Sequence, residues 1–326
     1  MAGGTERVLR RRIKSVQSTK KITKAMELIA ASRILKAQQR VNAARPYSEQ
    51  ITEVIRNLAA AGAGATSPLL QEREAIGTVA FVVVTADRGL CGGYNTTVIR
   101  ATERAMLAAR EEGKQTRLIT IGKKATTYFR FRGYEIDDAF TGFSEEPSYE
   151  DARTVADAIV GRFEEGVYDR VELAYTQFIS AGTQKVVIRR FVPLETEGLE
   201  AAKDSGPTAD YEFEPGPDEI LDRLLPRYAE ARLYAALLEG SASFFAAQQR
   251  AMKSATDNAE ELITKLSRVM NRARQDAITT EIMEIVGGAE ALRSGQSDDS
   301  DYLAAHMLET GDVLQASSVH HTPHLH

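Results

Sequence analysis

From Glu6 to about Leu58, apolar or small residues return at steps of three and four. They are Leu9, Ile13, Val16, Met26, Ala30, Ile34, Ala37, Val41, Ala44, Tyr47, Ile51, Val54 and Leu58. That is the period of an α-helix, and a stripe sustained this long is what a coiled coil needs. Pro46 is the one proline in this segment, and the helix is expected to bend or break there. A second long segment runs from Asp218 to about Val286. Its stripe reads Met252, Ala255, Ala259, Leu262, Leu266, Val269, Ala273 and Ala277. Pro226 and Gly240 mark points where its early part is expected to kink. Each stripe needs a partner, and each is the other's match in length. The expectation is an antiparallel coiled coil of the two chain ends, residues 1–60 and 218–293, with a parallel homodimeric coil as the competing arrangement.

Between the stripes the period changes. Residues 78–85, 116–121, 171–178 and 185–192 read as strands, the last two as a pair with Gly182 in their turn. Residues 95–112, 123–131 and 149–165 read as helices. Alternating strands and helices predict an open, Rossmann-like α/β sheet domain over 68–194, so the fold class is α/β plus a long α-helical coiled coil. The small-residue run 61–67 reads as a linker and 195–217 as an exposed loop. Residues 294–326 read as an acidic, His-containing flexible tail, in which 301–314 could add one helical piece.

Composition removes most catalytic chemistry. All 5 histidines lie at or beyond His306, so a His-based triad, proton shuttle or metal site in the body is excluded. The single cysteine, Cys91, allows no intramolecular disulfide. No apolar run is long enough to span a membrane. The start lacks the apolar core of a secretory signal, so a reducing compartment is expected. The net charge of −5 hides an asymmetry, because residues 1–60 carry 13 Lys/Arg against 4 Asp/Glu. A basic helix reads as a contact for a nucleic acid, a membrane surface or an acidic protein, and equally as a solvated helix face.

The turn Thr85-Ala86-Asp87-Arg88-Gly89-Leu90-Cys91-Gly92-Gly93-Tyr94-Asn95 follows a strand and precedes a helix, where phosphate loops sit. Gly89, Gly92 and Gly93 do not have dinucleotide-fingerprint spacing, and Gly122-Lys123 lacks the rest of a P-loop. The three glycines are therefore read as a tight structural turn packed against a neighbour. Cys91 lacks any histidine base and is read as a small packed residue. The acid pairs Glu111–Glu112, Asp137–Asp138 and Glu145–Glu146 are read as solvated.

Four ordered stretches carry a resemblance: Leu9–Glu27, Asp87–Asn95, Ala251–Ala259 and Ala273–Ala289. The last contains Ile278-Thr279-Thr280-Glu281 and ends on Gly287-Gly288-Ala289. Together the chain resembles the gamma-chain family of bacterial F-type ATP synthases over about residues 5–292. The resemblance implies a central rotor shaft with no active site, no cofactor and no metal. It implies one copy per complex, inside a hexamer of alpha and beta subunits, with the epsilon subunit and the membrane c-ring below and no nucleic acid. It places the chain peripherally on the cytoplasmic face of the bacterial membrane. Lys20, Lys21, Lys24 and Met26, and on the last helix Gln275, Thr279 and Glu281, match positions that meet beta-subunit loops. Two positions depart from the family pattern: Phe244 replaces a Glu and Gln248 an Arg, with Arg250 a possible substitute. The cysteine pair of the chloroplast redox switch is absent.

Overall fold

The structure is a computed structural model describing the backbone of residues 2–60, 67–194 and 214–310, with side chains for 5–58, 67–194 and 214–293. The chain forms two compact units, Thr19–Asn258 and the pair of end segments Met1–Ser18 and Ala259–His326. Ten elements follow in order: α1 (Ala2–Ala60), β1 (Thr78–Val84), α2 (Tyr94–Glu111), β2 (Gln115–Ile121), α3 (Lys123–Phe131), β3 (Asp138–Phe140), α4 (Tyr149–Glu164), β4 (Arg170–Phe178), β5 (Gln184–Val192) and α5 (Pro217–Thr310). The linker 61–66 and the loop 195–213 lie outside the described residues.

In the larger unit the sheet runs β3-β2-β1-β4-β5. The first four strands are parallel and β5 returns antiparallel to β4. The three-residue β3 escapes the sequence reading because it is too short to show a period. β1 is buried on both faces and alternates between them. Val79, Phe81 and Val83 pack with Val98, Met106 and Phe129 from α2 and α3. Ala80, Val82 and Val84 pack with Ile159 and Phe163 of α4, Ile51, Ile55 and Leu58 of α1, and Leu221, Leu225 and Leu233 of α5. Each such aliphatic side chain contributes about 2 kcal/mol on full burial.

The two long helices run antiparallel within this unit. Thr256 Oγ1 donates to Thr23 Oγ1 at 2.8 Å. The Arg33 guanidinium lies 5.5 Å from the ring centre of Phe245. Ile55 meets the layer that holds Leu221 and Leu225. As one helix number rises, the other falls. Neither Pro46 nor Pro226 ends its helix, so of the bend or break expected at Pro46 the break does not occur. A proline inside a helix costs about 3 kcal/mol. Burial of Ile51, Ile55 and Leu58 after Pro46, and of Leu221, Leu225 and Ala229 around Pro226, offsets it.

The predicted stripes are covered over most of their length and depart from the sequence reading at Tyr47, Val54, Leu262 and Val269. In α1, Ile51 and Leu58 are buried as expected, but Ser48 and Ile55 are covered where Tyr47 and Val54 are exposed. In α5, Thr256, Ile263 and Met270 face inward, while Leu262 and Val269 are exposed. The apolar band is wide enough to admit either frame, and the partner helix decides which edge it covers.

In the smaller unit both segments are helical as far as they are described. Leu9, Ile13 and Val16 are half-buried, as are Ile263, Met270, Ala273 and Ala277. From Ile278 to Arg293 every side chain is exposed. The backbone of residues 294–310, read from the sequence as a tail with one helical piece allowed over 301–314, continues α5. Residues 311–326, with four of the histidines, lie outside the described residues.

Candidate functional site

The turn after β1 is built by two side chains that replace missing backbone partners. Asp87 Oδ1 accepts from Lys123 N at 3.0 Å, and its Oδ2 accepts from Gly142 N at 2.9 Å and from Ser144 Oγ at 2.8 Å. The carboxylate thereby ties β1 to the start of α3 and to the loop after β3. Asn95 Oδ1 accepts from Ala86 N at 2.9 Å, and its amide donates to Arg88 O at 3.3 Å and to Cys91 Sγ at 3.2 Å. Of the three glycines, only Gly92 takes a left-handed φ, +57°. A Cβ there would make ordinary contact, 3.7 Å from Ala251 Cβ. Leu90 also adopts a positive φ, 62°.

The more demanding glycine is Gly122, which sequence reasoning considered only as a failed P-loop. Its φ is +94°, and a Cβ would lie 2.2 Å from the carbonyl oxygen of Thr85. β1 and β2 close on each other here, with Thr85 N donating to Ile121 O at 2.8 Å and Ala125 N to Thr85 Oγ1 at 3.0 Å. No side chain fits in that space.

Open α/β sheets bind ligands beyond the carboxyl ends of their strands, where the strand order reverses. In this sheet that place lies between β1 and β4, and α5 fills it. Tyr94 donates to the carbonyl of Gly240 at 2.9 Å. Ser243 Oγ donates to Thr176 O of β4 at 3.0 Å. A Cβ on Gly240 would sit 3.4 Å from the Tyr94 hydroxyl and 3.5 Å from Val84 Cγ1. Phe244, one of the departures from the family pattern, is 2% exposed and stacks edge-on against Tyr94 at 5.7 Å. The dinucleotide crevice is thus occupied by the chain's own helix, and the turn motif works as a joint between sheet and shaft.

Cys91 is buried, and burial pushes its thiol pKa up, which disfavours the thiolate a nucleophile needs. Among the described residues no group of His, Cys, Asp and Glu could hold a metal. Two of the acids read as solvated are not. The Asp137 side chain is 2% exposed, ion-paired with Arg117 at 2.9 Å, and accepts from Tyr168 at 2.7 Å. Glu145 is largely buried, which raises its pKa, while Arg88 at 3.4 Å pulls it back down. Arg250 reaches the β4–β5 turn, donating to Ala181 O at 2.9 Å and Gly182 O at 3.2 Å. Gln248 is half-buried.

The residues matched to beta-subunit loops fall in both units. Lys20, Lys21, Lys24 and Met26 belong to the larger. Lys21 and Lys24 are exposed, Lys24 at 3.1 Å from Glu27, while Lys20 and Met26 sit half-buried on the flanks of the seam. Further along the same segment Lys36 lies 3.9 Å from Glu146, so part of the basic face is neutralised internally. Gln275, Thr279 and Glu281 belong to the smaller unit and are exposed. Sequence reasoning passed over the apolar residues around them: Ile278, Ile282, Met283, Ile285 and Val286 are 49–68% exposed. Ile22, Leu28, Ile29 and Leu35 of α1 are likewise exposed. Their signal was available, since they are apolar residues that no seam can cover.

A family profile described as ATP synthase matches residues 5–292. The chain is 54% identical over 296 residues to the ATP synthase gamma chain of Frankia casuarinae, covering 90% of this chain and 99% of the relative. It is 48% identical over 302 residues to the gamma chain of Mycolicibacterium smegmatis, covering 88% and 98%. In fold it is similar to a chain in the rotor of the Euglena gracilis mitochondrial ATP synthase, with a TM-score of 0.61, 19% identity, and coverage of 85% and 99%. A chain of the Tetrahymena thermophila mitochondrial ATP synthase central stalk and c-ring matches with a TM-score of 0.55, 22% identity, and coverage of 72% and 99%. The chain belongs to the ATP synthase gamma-chain family.

Proposed function

We infer that the chain is the central rotor stalk of an F-type ATP synthase, a non-catalytic subunit that couples proton flow to nucleotide chemistry on other subunits. The observation that carries this reading is the end-to-end likeness to gamma chains, 54% identity over 99% of one relative. The geometry supports it, because the one crevice where this sheet type binds a cofactor holds Gly240 and Ser243 of α5 instead. The two chain ends would stand inside the hexamer of alpha and beta subunits. The sheet domain would sit against the epsilon subunit and the c-ring.

In this reading the exposed faces do the work. Rotation carries one asymmetric surface past successive beta subunits, and each subunit's conformational equilibrium shifts according to its contacts with that surface. Lys20, Lys21 and Lys24 would face an acidic loop of the beta subunits, with Met26 beside them. Gln275, Thr279 and Glu281 would form polar contacts worth about 1–2 kcal/mol each once desolvated. No helix among the described residues is long and apolar enough to cross a membrane. In this reading the chain associates with the membrane through the c-ring, on the cytoplasmic face.

Affinity purification of the chain from its native membranes in mild detergent tests the assignment. Recovery with alpha, beta, epsilon and c subunits in one ATPase complex is the expected result. Recovery of the chain with nucleic acid, or without any ATP synthase subunit, would overturn it.

A further inference from the structure

Beside the filled crevice, a cavity of about 460 Å³ opens between the start of α2, the β4–β5 hairpin and the 247–251 stretch of α5. Much of its wall is apolar, from Val186, Ala247 and Ala251. Its polar groups are left in an uneven state. Thr176 is 5% exposed, and its hydroxyl has no hydrogen-bond partner among the described residues. Buried hydroxyls ordinarily have one. Arg250 donates to Ala181 O, Gly182 O and the side-chain carbonyl of Gln184, all neutral acceptors. No acidic residue lines the cavity.

The start of α2 adds a second source of positive potential. The helix opens on Gly93 with no side-chain cap and no acid in its first turn. Tyr94 N, the first amide of the helix, donates to Cys91 O at 3.3 Å, and with Tyr94 and Thr97 in the cavity wall the positive end of the helix dipole bears on the cavity without a counter-charge. Gly92 and Gly93 also line the wall, so no side chain shields this end of the helix. The place is the carboxyl-end margin of a doubly wound sheet, where such folds hold phosphates.

We propose that this cavity binds a phosphate group, orthophosphate or a phosphomonoester, between Arg250, the first turn of α2 and the Thr176 hydroxyl. Arg250 supplies the charge, and the positive end of α2 reinforces it. The Thr176 hydroxyl donates to a phosphate oxygen. The volume falls within the range of about 300–1,000 Å³ typical of small-molecule sites, so an organic body fits against Val186 and Ala247. The inference is independent of the rotor assignment.

Calorimetric titration of the full-length chain at constant ionic strength, with orthophosphate and with phenyl phosphate, tests it. Saturable binding is expected, accompanied by movement of the Asn95 and Thr96 amide resonances. Tighter binding of phenyl phosphate identifies an organic phosphate as the fitting ligand, and equal binding identifies free phosphate. Arg250→Gln should abolish binding. Thr176→Val, which keeps the side-chain shape, should weaken it about tenfold, the loss of one hydrogen bond to a charged group. If Arg250→Gln disturbs the hairpin it helps hold, Thr176→Val decides by itself. No saturable heat with either probe would overturn the proposal, as would a Thr176→Val variant that binds like the parent.

Discussion

The stretch Asp87–Asn95 and the stretch 278–289 both carry the likeness to gamma chains, yet they treat their side chains in opposite ways. In the first, Asp87, Tyr94 and Asn95 turn inward, and each bonds to a backbone segment distant in the chain or across the turn. In the second, every side chain is exposed, including Ile278, Ile282 and Val286 stacked at helical spacing. The first stretch is explained by the chain alone. The second is not, because isolated helices gain little from apolar residues on a solvent face. A sequence signature can therefore record an internal joint or an external contact, and only burial tells the two apart.

The comparison breaks most readily at the joint. Gly122→Ala should be the most damaging single change, since a Cβ meets Thr85 O at 2.2 Å and φ is +94°. Strain and overpacking together should cost about 3–5 kcal/mol, read as a fall in urea unfolding free energy. Asp87→Asn should follow. It replaces a carboxylate that accepts from Lys123 N on one oxygen and from Gly142 N and Ser144 on the other with an amide whose NH2 must face the donors on one of those two sides. The expected loss is about 2–3 kcal/mol, with the same measurement as readout. Tyr94→Phe keeps the ring against Phe244 and removes the bond to Gly240 O, at about 1 kcal/mol. A Tyr94→Phe loss above about 3 kcal/mol would mean that the hydroxyl holds more than a single carbonyl.

Much of this was legible in the residues. The long helices, the alternating middle and the hairpin around Gly182 follow from period and turn chemistry. The seam's edge at Tyr47, Val54, Leu262 and Val269 did not, and the reason is physical. Leu262 and Ile263 are both apolar, as are Val269 and Met270, so the sequence offers two edges of one band and the partner helix covers one. Asp137 was misjudged for a related reason. Its neighbour Asp138 is equally acidic, and only the fold brings Arg117 and Tyr168 within 2.9 Å and 2.7 Å of Asp137. Gly122 was visible as a residue but not as a constraint, because close approach of β1 to β2 is a property of the sheet. The exposed apolar row on the last helix was legible as surplus hydrophobicity, and none of the described residues covers it.

The smallest expected effect on the chain itself is the sharpest test of the second stretch. Ile278→Gln with Ile282→Gln removes two apolar side chains that are 49% and 54% exposed. Glutamine is about as good a helix former as the residues around it, so propensity changes little. The unfolding free energy of the isolated chain should stay within about 0.5 kcal/mol of the parent, as for surface changes that touch nothing. The same pair should lower the yield of assembled complex, or its coupling of ATP hydrolysis to proton pumping, because the lost contacts belong to the partner. A drop of about 2 kcal/mol or more in the isolated chain would show that these residues are packed internally after all, and the contrast between the two stretches would fail. Unchanged assembly and coupling, with unchanged stability, would instead mean that the apolar row is indifferent and that the polar residues Gln275, Thr279 and Glu281 carry the contact.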